Sequence, residues 1–239
     1  MGLIKNVKAC AVMTAGRYEN TWCRNQIEAA LRSLGIPFTV SGGVYYGQCM
    51  QKMLESAIEQ GVEYAITVDG DSVFTPGQLQ RLLGIAVQES HKIDAIAAMQ
   101  VRRGAKTMLG TISGRLSAEW DGYPLKVDTA HFGLTIIDLA KLADTPKPWF
   151  FCQPDVQGQW GDGRIDSDVW FWKQWVKAGN TIYIDPGTRI GHVEEMVVMH
   201  DESLQVKHVY PADWVKGNSD VDEVSFCEGV AAENTRLDG

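Results

Sequence analysis

Seven segments alternate between two hydrophobic periods over the first hundred residues. That alternation constrains the fold more than any other feature of the chain. Residues 8–14 read as a buried apolar strand. Asn20 can cap a helix whose apolar positions Ile27, Ala30, Leu31 and Leu34 keep helical spacing, and Gly35 and Pro37 stop it. Residues 37–40 read as a second strand. Met50, Met53, Leu54, Ala57 and Ile58 then mark an amphipathic helix ending at Gly61. Residues 62–68 form a third strand, a helix spans 76 to about 88, and residues 93–99 make a fourth strand. Strand and helix in strict succession predict an α/β fold with a mainly parallel central sheet and helices on its faces.

The third strand ends in Asp69-Gly70-Asp71. Just beyond it, Thr75, Pro76 and Gln78 provide an N-cap, a first helical residue and the far half of a capping box. The two acids therefore sit at the carboxyl end of a core strand, where open α/β sheets bind ligands. Two carboxylates one residue apart suit a hard divalent cation, and such a cation can hold a diphosphate. Turn formation alone also uses Asp and Gly. No Gly-rich phosphate loop follows any strand, so bound phosphates need another holder.

Composition narrows the partners. The net charge of −8 and pI near 5.1 argue against a nucleic-acid backbone as the main partner. Arg102, Arg103 and Lys106 form the compact basic cluster near a strand end. Five cysteines without a CxxC pair predict free thiols and a reducing compartment. The N-terminus lacks a signal-peptide layout and no apolar run approaches a membrane span, so a cytoplasmic location is expected.

Residues 104–127 are turn-rich. Residues 129–137 predict a strand feeding a short helix near Leu139. A Gly-rich stretch, 158–164, enters Asp166-Ser167-Asp168 and a helix carrying Val169, Trp172, Trp175 and Val176. Residues 181–185 predict a last strand, followed by Gly191-His192. The acidic tail is weakly patterned and is expected to be irregular. The cluster Trp170, Trp172 and Trp175 is expected to serve mostly as core.

Four features thus stand in fixed order: a strand ending in Asp69-x-Asp71, a strand ending in residues 99–103, an acid at a helix start, and a late Gly191-His192. This order resembles the GT-A class of nucleotide-sugar-dependent glycosyltransferases, in particular the large inverting family with D-x-D motifs. The resemblance covers roughly residues 8–192. It implies a Rossmann-like GT-A domain over 1–195, with a nucleotide-binding half to about 103, an acceptor half from about 104, and an extension over 196–239.

The resemblance also implies site roles. Asp69, Asp71 and His192 would hold Mn²⁺ or Mg²⁺, with an imidazole ligand tilting preference toward Mn²⁺. Thr14, Ala15, Gly16 and Arg17 would hold the donor nucleotide together with Asp69, and Arg102 and Arg103 would assist the leaving diphosphate. His131, Phe132 and Gly133 would close the sugar and acceptor pocket. Asp168 matches the acid that deprotonates an acceptor hydroxyl, with Asp166 taking part of the role of the Glu that Ser167 replaces. Asp168 is also an ordinary first-turn acid for its helix.

The implied activity is hexosyl or pentosyl transfer from a nucleoside-diphosphate sugar to an acceptor hydroxyl, with inversion favoured by the placement of Asp168. Retaining members share the acid pair and the late histidine. The acceptor classes are a glycan, a lipid-linked sugar, a protein, or a hydroxylated base of phage DNA, in a bacterial or bacteriophage setting. Two rival readings are a sugar-phosphate nucleotidylyltransferase and a nucleotide-sugar binding protein without catalysis. The first strand-to-loop segment, 14–17, is short for the former, and Ser167 is the feature behind the latter.

Overall fold

The structure, a computed structural model, describes residues 7–16, 19–101, 122–161, 163–200, 203 and 205–209. The chain divides into two compact units, Met1–Val193 and Glu194–Gly239.

In the first unit the alternation appears as β1 (Ala9–Ala15), α1 (Thr21–Ser33), β2 (Phe38–Gly42), α2 (Tyr46–Glu59), β3 (Tyr64–Val68), β4 (Ser72–Val73), α3 (Pro76–Gln88) and β5 (Ala95–Met99). It continues with β6 (Leu125–Lys126), β7 (Leu134–Asp138), α4 (Leu139–Asp144), α5 (Ser167–Lys177), β8 (Ile182–Arg189) and β9 (Gly191–His192). The helix starts are built as their sequences require. Asn20 Oδ1 accepts the Cys23 amide at 3.1 Å. The Thr75 hydroxyl accepts the Gln78 amide at 3.2 Å, and Gln78 Oε1 accepts the Thr75 amide at 2.7 Å, a complete capping box.

Among the described residues seven strands form one sheet in the order β2-β1-β3-β7-β5-β8-β6. β1 pairs in parallel with β2 and β3, and β5 pairs in parallel with β8. β7 runs antiparallel between β3 and β5, and β6 runs antiparallel to β8. The parallel frame follows from the helical crossovers. β7 departs from it: the chain between Met99 and Leu134 is long enough to return in either direction.

Successive residues of a strand point to opposite faces, and the core divides accordingly. Ala11 and Met13 of β1 and Ile66 and Val68 of β3 pack with α1 and α3 through Ile27, Leu31, Leu79 and Leu82. Val12 and Ala65 face the other way, toward Met50, Met53 and Leu54 of α2 and toward Phe171, Trp172 and Trp175 of α5. Trp172 and Trp175 are core, as their spacing predicts. Trp170 lies outside it, donating to the Pro148 carbonyl at 3.2 Å.

Two expectations need correction. The strand expected from residue 129 begins only at Leu134. Before it the Gly133 amide turns back to donate to His131 Nδ1 at 2.9 Å, which takes that amide out of any ladder. In the second unit, β10 (Val197–His200) and β11 (Val206–Val209) form an antiparallel hairpin where irregular chain was expected. Both are short valine-containing strands, and valine favours extended backbone.

Candidate active site

The carboxyl ends of β1 and β3 finish side by side, because the two strands run parallel in register from Ala9↔Tyr64 to Val12↔Thr67. Thr14 and Ala15 close β1 at this edge, followed by Gly16. Asp69, Gly70 and Asp71 follow β3 in a tight turn, closed by the Ser72 amide donating to the Asp69 carbonyl at 3.1 Å. The chain then enters β4, which pairs with β9 so that Ser72 stands opposite His192. The Val193 amide donates to the Asp71 carbonyl at 2.9 Å. Residues 121 positions apart are thereby joined: His192 Nε2 lies 3.0 Å from Asp71 Oδ2.

The other nitrogen of His192 fixes the chemistry of that contact. Nδ1 lies 3.3 Å from the Val101 carbonyl, which can only accept, so Nδ1 carries its proton. Nε2 then faces a carboxylate, also an acceptor when ionised. Such an imidazole either holds a second proton or shares a cation with the carboxylate. A histidine donating one N–H to a carbonyl while presenting its other nitrogen beside a carboxylate is the usual arrangement of a metal-binding histidine. The donor set therefore fits a divalent cation held by Asp71 and His192. Among the described residues no three or more His, Cys, Asp or Glu side chains come together as a cation site. The charge of Asp69 is also felt at Tyr46, on the first turn of α2.

Tyr46 was not apparent in the sequence as a site residue. Burial raises its phenol well above the ordinary value, and the carboxylates of Asp69 and Asp168 raise it further. It is held as a neutral O–H within the fields of both acids. Its ring packs edge-on against Phe132 and Phe150, with centroids 6.4 and 6.1 Å away.

Asp168 lies in the first turn of α5, where its Oδ1 accepts the Val169 amide at 2.8 Å. Burial raises its pKa, and the neighbouring Asp166 adds to the rise. The expectation from helix position alone was a stabilised anion, but burial outweighs it here. The result is a more basic carboxylate. Asp166 occupies the N-cap position but makes no side-chain cap bond. It pairs with Arg164 instead, Nε to Oδ1 at 2.8 Å.

His131, Phe132 and Gly133 lie beneath this edge. His131 is buried with both ring nitrogens engaged: Nε2 donates to the Ala98 carbonyl at 2.7 Å, and Nδ1 accepts the Gly133 amide. Burial lowers its pKa to about 4, so the ring is neutral. Phe132 is buried in an aromatic cluster, stacked on Trp172 at 5.3 Å. Gly133 is the position where only hydrogen fits. A Cβ there would collide with Gln100 Oε1 and come within 2.8 Å of Ser72 Oγ and 2.9 Å of His131 Nδ1.

Buried Gln100, also missed in the sequence, ties the floor to the rim. Its Nε2 donates to Ser72 Oγ at 3.1 Å and to the Gly191 carbonyl at 3.3 Å, the neighbours of Asp71 and His192. Its signal was its place in the 99–103 segment after β5. Arg17, Arg102, Arg103 and Lys106 lie outside the described residues. No helix among the described residues is long and apolar enough to cross a membrane.

No protein-family model matches the sequence, and no curated protein matches it. Solved structures do resemble the fold. A crystal structure of A197 from STIV superposes with a TM-score of 0.57 at 12% identity, covering 85% of this chain and 94% of that one. A crystal structure of GalNAc-T7 with UDP, GalNAc and Mn²⁺ gives a TM-score of 0.51 at 9% identity. That match covers 80% of this chain and 45% of the other. At these identities the likeness concerns architecture alone, and the architecture is a GT-A fold: a mixed, mainly parallel sheet flanked by helices.

Proposed function

We propose that this protein is a metal-assisted glycosyltransferase that moves a sugar from a nucleoside diphosphate to an acceptor hydroxyl with inversion. The observation that carries the reading is the meeting of Asp71 and His192 at the carboxyl edge of the sheet, with a raised carboxylate, Asp168, in the same electrostatic neighbourhood through Tyr46. The neighbour solved with UDP, GalNAc and Mn²⁺ has this fold and supports the choice of donor class.

Asp71 and His192 would hold Mn²⁺ or Mg²⁺, which when bound supplies Lewis-acid stabilisation of a diphosphate leaving group. Thr14, Ala15 and Gly16 border the nucleotide side of the edge, and Asp69 would serve the ribose or the cation there. Arg17, Arg102 and Arg103 remain donor-side candidates on sequence grounds. Asp168 takes the proton of the acceptor hydroxyl. Burial raises its pKa, which makes it a better base for general-base catalysis. Tyr46 keeps its O–H within the fields of both acids. His131, Phe132 and Gly133 serve as the rigid floor.

Incubation with a panel of nucleotide sugars and Mn²⁺, followed by chromatography, tests the assignment. Release of a free nucleoside diphosphate, abolished in Asp71→Ala, supports glycosyl transfer. Production of pyrophosphate from a nucleoside triphosphate and a sugar phosphate would replace it with nucleotidyl transfer. Binding without release of either would replace it with a nucleotide-sugar binding protein.

A further inference from the structure

β8 does not run evenly beside β5. Asp185 stands opposite Ala98, but Arg189 stands opposite Met99, so residues 186–188 are extruded as a bulge. An extrusion of three is odd. Side chains alternate along a strand with period two, so Arg189, paired after the bulge, faces opposite to where an unbroken ladder would place it. From there the chain leaves the ladder at Ile190 and enters β9 with Gly191 and His192. Bulges near sites re-aim side chains in this way, and Pro186, which has no N–H to donate, suits the extruded position.

One carboxylate holds the bulge closed. Asp185 is fully buried. It accepts from Arg81 Nε at 2.8 Å, Arg81 Nη2 at 3.3 Å, the Thr188 hydroxyl at 2.7 Å and the Gly187 amide at 3.0 Å. Two of those donors belong to the bulge itself, and two come from α3. The same helix reaches the strand again one turn earlier, where Gln78 Nε2 donates to the Arg189 carbonyl. Beyond the bulge the Ile190 amide returns to the Met99 carbonyl at 3.0 Å. The chain then pairs with β4 through Gly191 and His192. α3 therefore begins just after the Asp71 turn and grips the strand that delivers His192.

We propose that Asp185, clamped by Arg81 and Thr188, is a positioning residue that sets the approach of His192 to Asp71 and thereby the affinity of that pair for a divalent cation. The inference rests on the proposed cation site. A buried ion pair by itself gives little net stability compared with well-packed apolar residues. Its use here is geometric: it fixes the course of the chain from β8 into β9, which carries His192.

The test is titration with Mn²⁺ alone, following the free-ion signal by electron paramagnetic resonance, on parent, Asp71→Ala, His192→Ala, Asp185→Asn and Thr188→Val. Thr188→Val keeps the shape and removes one bond to Asp185. It decides the matter if Asp185→Asn does not fold. Circular dichroism identifies the folded variants. Loss of a direct outer partner of a metal ligand typically weakens binding about 10–100-fold. Asp185 acts on His192 only through the chain between them, so Asp185→Asn is expected to weaken Mn²⁺ binding by up to about tenfold, with Thr188→Val between it and the parent. A merely structural role would lower the melting temperature and leave the Mn²⁺ affinity of the folded protein unchanged. Parent-like Mn²⁺ affinity in both variants, with loss in Asp71→Ala and His192→Ala, overturns the positioning role and leaves the site standing. If the parent binds no better than Asp71→Ala, the site itself fails and the inference falls with it.

Discussion

Replacing Gly133 by alanine adds one methyl group at the most confined point beneath the site. The Cβ would overlap Gln100 Oε1 and press on Ser72 Oγ at 2.8 Å and His131 Nδ1 at 2.9 Å. Relief requires moving at least one of these, and all three residues are buried. His131 is held by the Ala98 carbonyl on its far side, and its own carbonyl accepts the Thr135 hydroxyl at 2.6 Å. Gln100 is held by Ser72 and the Gly191 carbonyl. Overpacking a core costs about 1–3 kcal/mol, and leaving one buried polar group unpaired costs about 1–3 kcal/mol more. Together the penalty is about 2–6 kcal/mol, which at roughly 2–4 °C per kcal/mol for a chain of this size lowers the melting temperature by about 5–20 °C. Urea denaturation of the parent, Gly133→Ala, Gln100→Ala and the double variant measures it. Gln100→Ala opens space for the methyl, so the double variant should be more stable than the sum of the singles predicts. A parent-like midpoint for Gly133→Ala, or strict additivity, would refute the close packing.

Three further outcomes are expected. His131 is held near 4 by burial, so below its ordinary 6.5 the unfolded chain takes up a proton that the fold refuses. Its contribution to stability is complete above 6.5 and is lost as pH falls toward 4, about 3 kcal/mol in all, and urea midpoints between pH 7 and 4 should show a slope that flattens in His131→Gln. Asp168→Asn should lower turnover about 10²–10⁴-fold while raising thermal stability at neutral pH, because burial disfavours the ionised carboxylate; the parent's acid limb of activity should lie above the usual carboxylate range. Tyr46→Phe keeps the ring contacts and removes an O–H that lies in the fields of Asp69 and Asp168, so steady-state turnover should fall about 2–10-fold with little change in melting temperature.

The alternating elements were legible because each buries a continuous apolar face with a clear period. β1, α1, β2, α2, β3, α3 and β5 all stand where the pattern of residues 8–99 puts them. The acid pair and the late histidine were legible through their order along the chain. Their convergence depends on β4 and β9, each two residues long, and no periodicity exists in two residues. The antiparallel course of β7 was hidden because a five-residue strand pattern carries no direction. Tyr46 and Gln100 escaped notice because their significance lies in what faces them. Tyr46 precedes Asp168 by over a hundred residues, and Gln100 is one polar residue at a strand end. Asp168 was legible as a helix-start acid, but the rise in its pKa comes from burial, which helix position does not reveal.

The central claim is that Asp71 and His192 place a cation where it holds a nucleoside diphosphate. The most direct measurement is calorimetric titration of the full chain with each nucleoside diphosphate in Mn²⁺ and again in EDTA, on the parent and on Asp71→Ala. Binding of one nucleotide that needs Mn²⁺ and disappears in folded Asp71→Ala is the predicted result. Failure of every nucleotide to bind with Mn²⁺, or binding that survives both EDTA and Asp71→Ala, would contradict it.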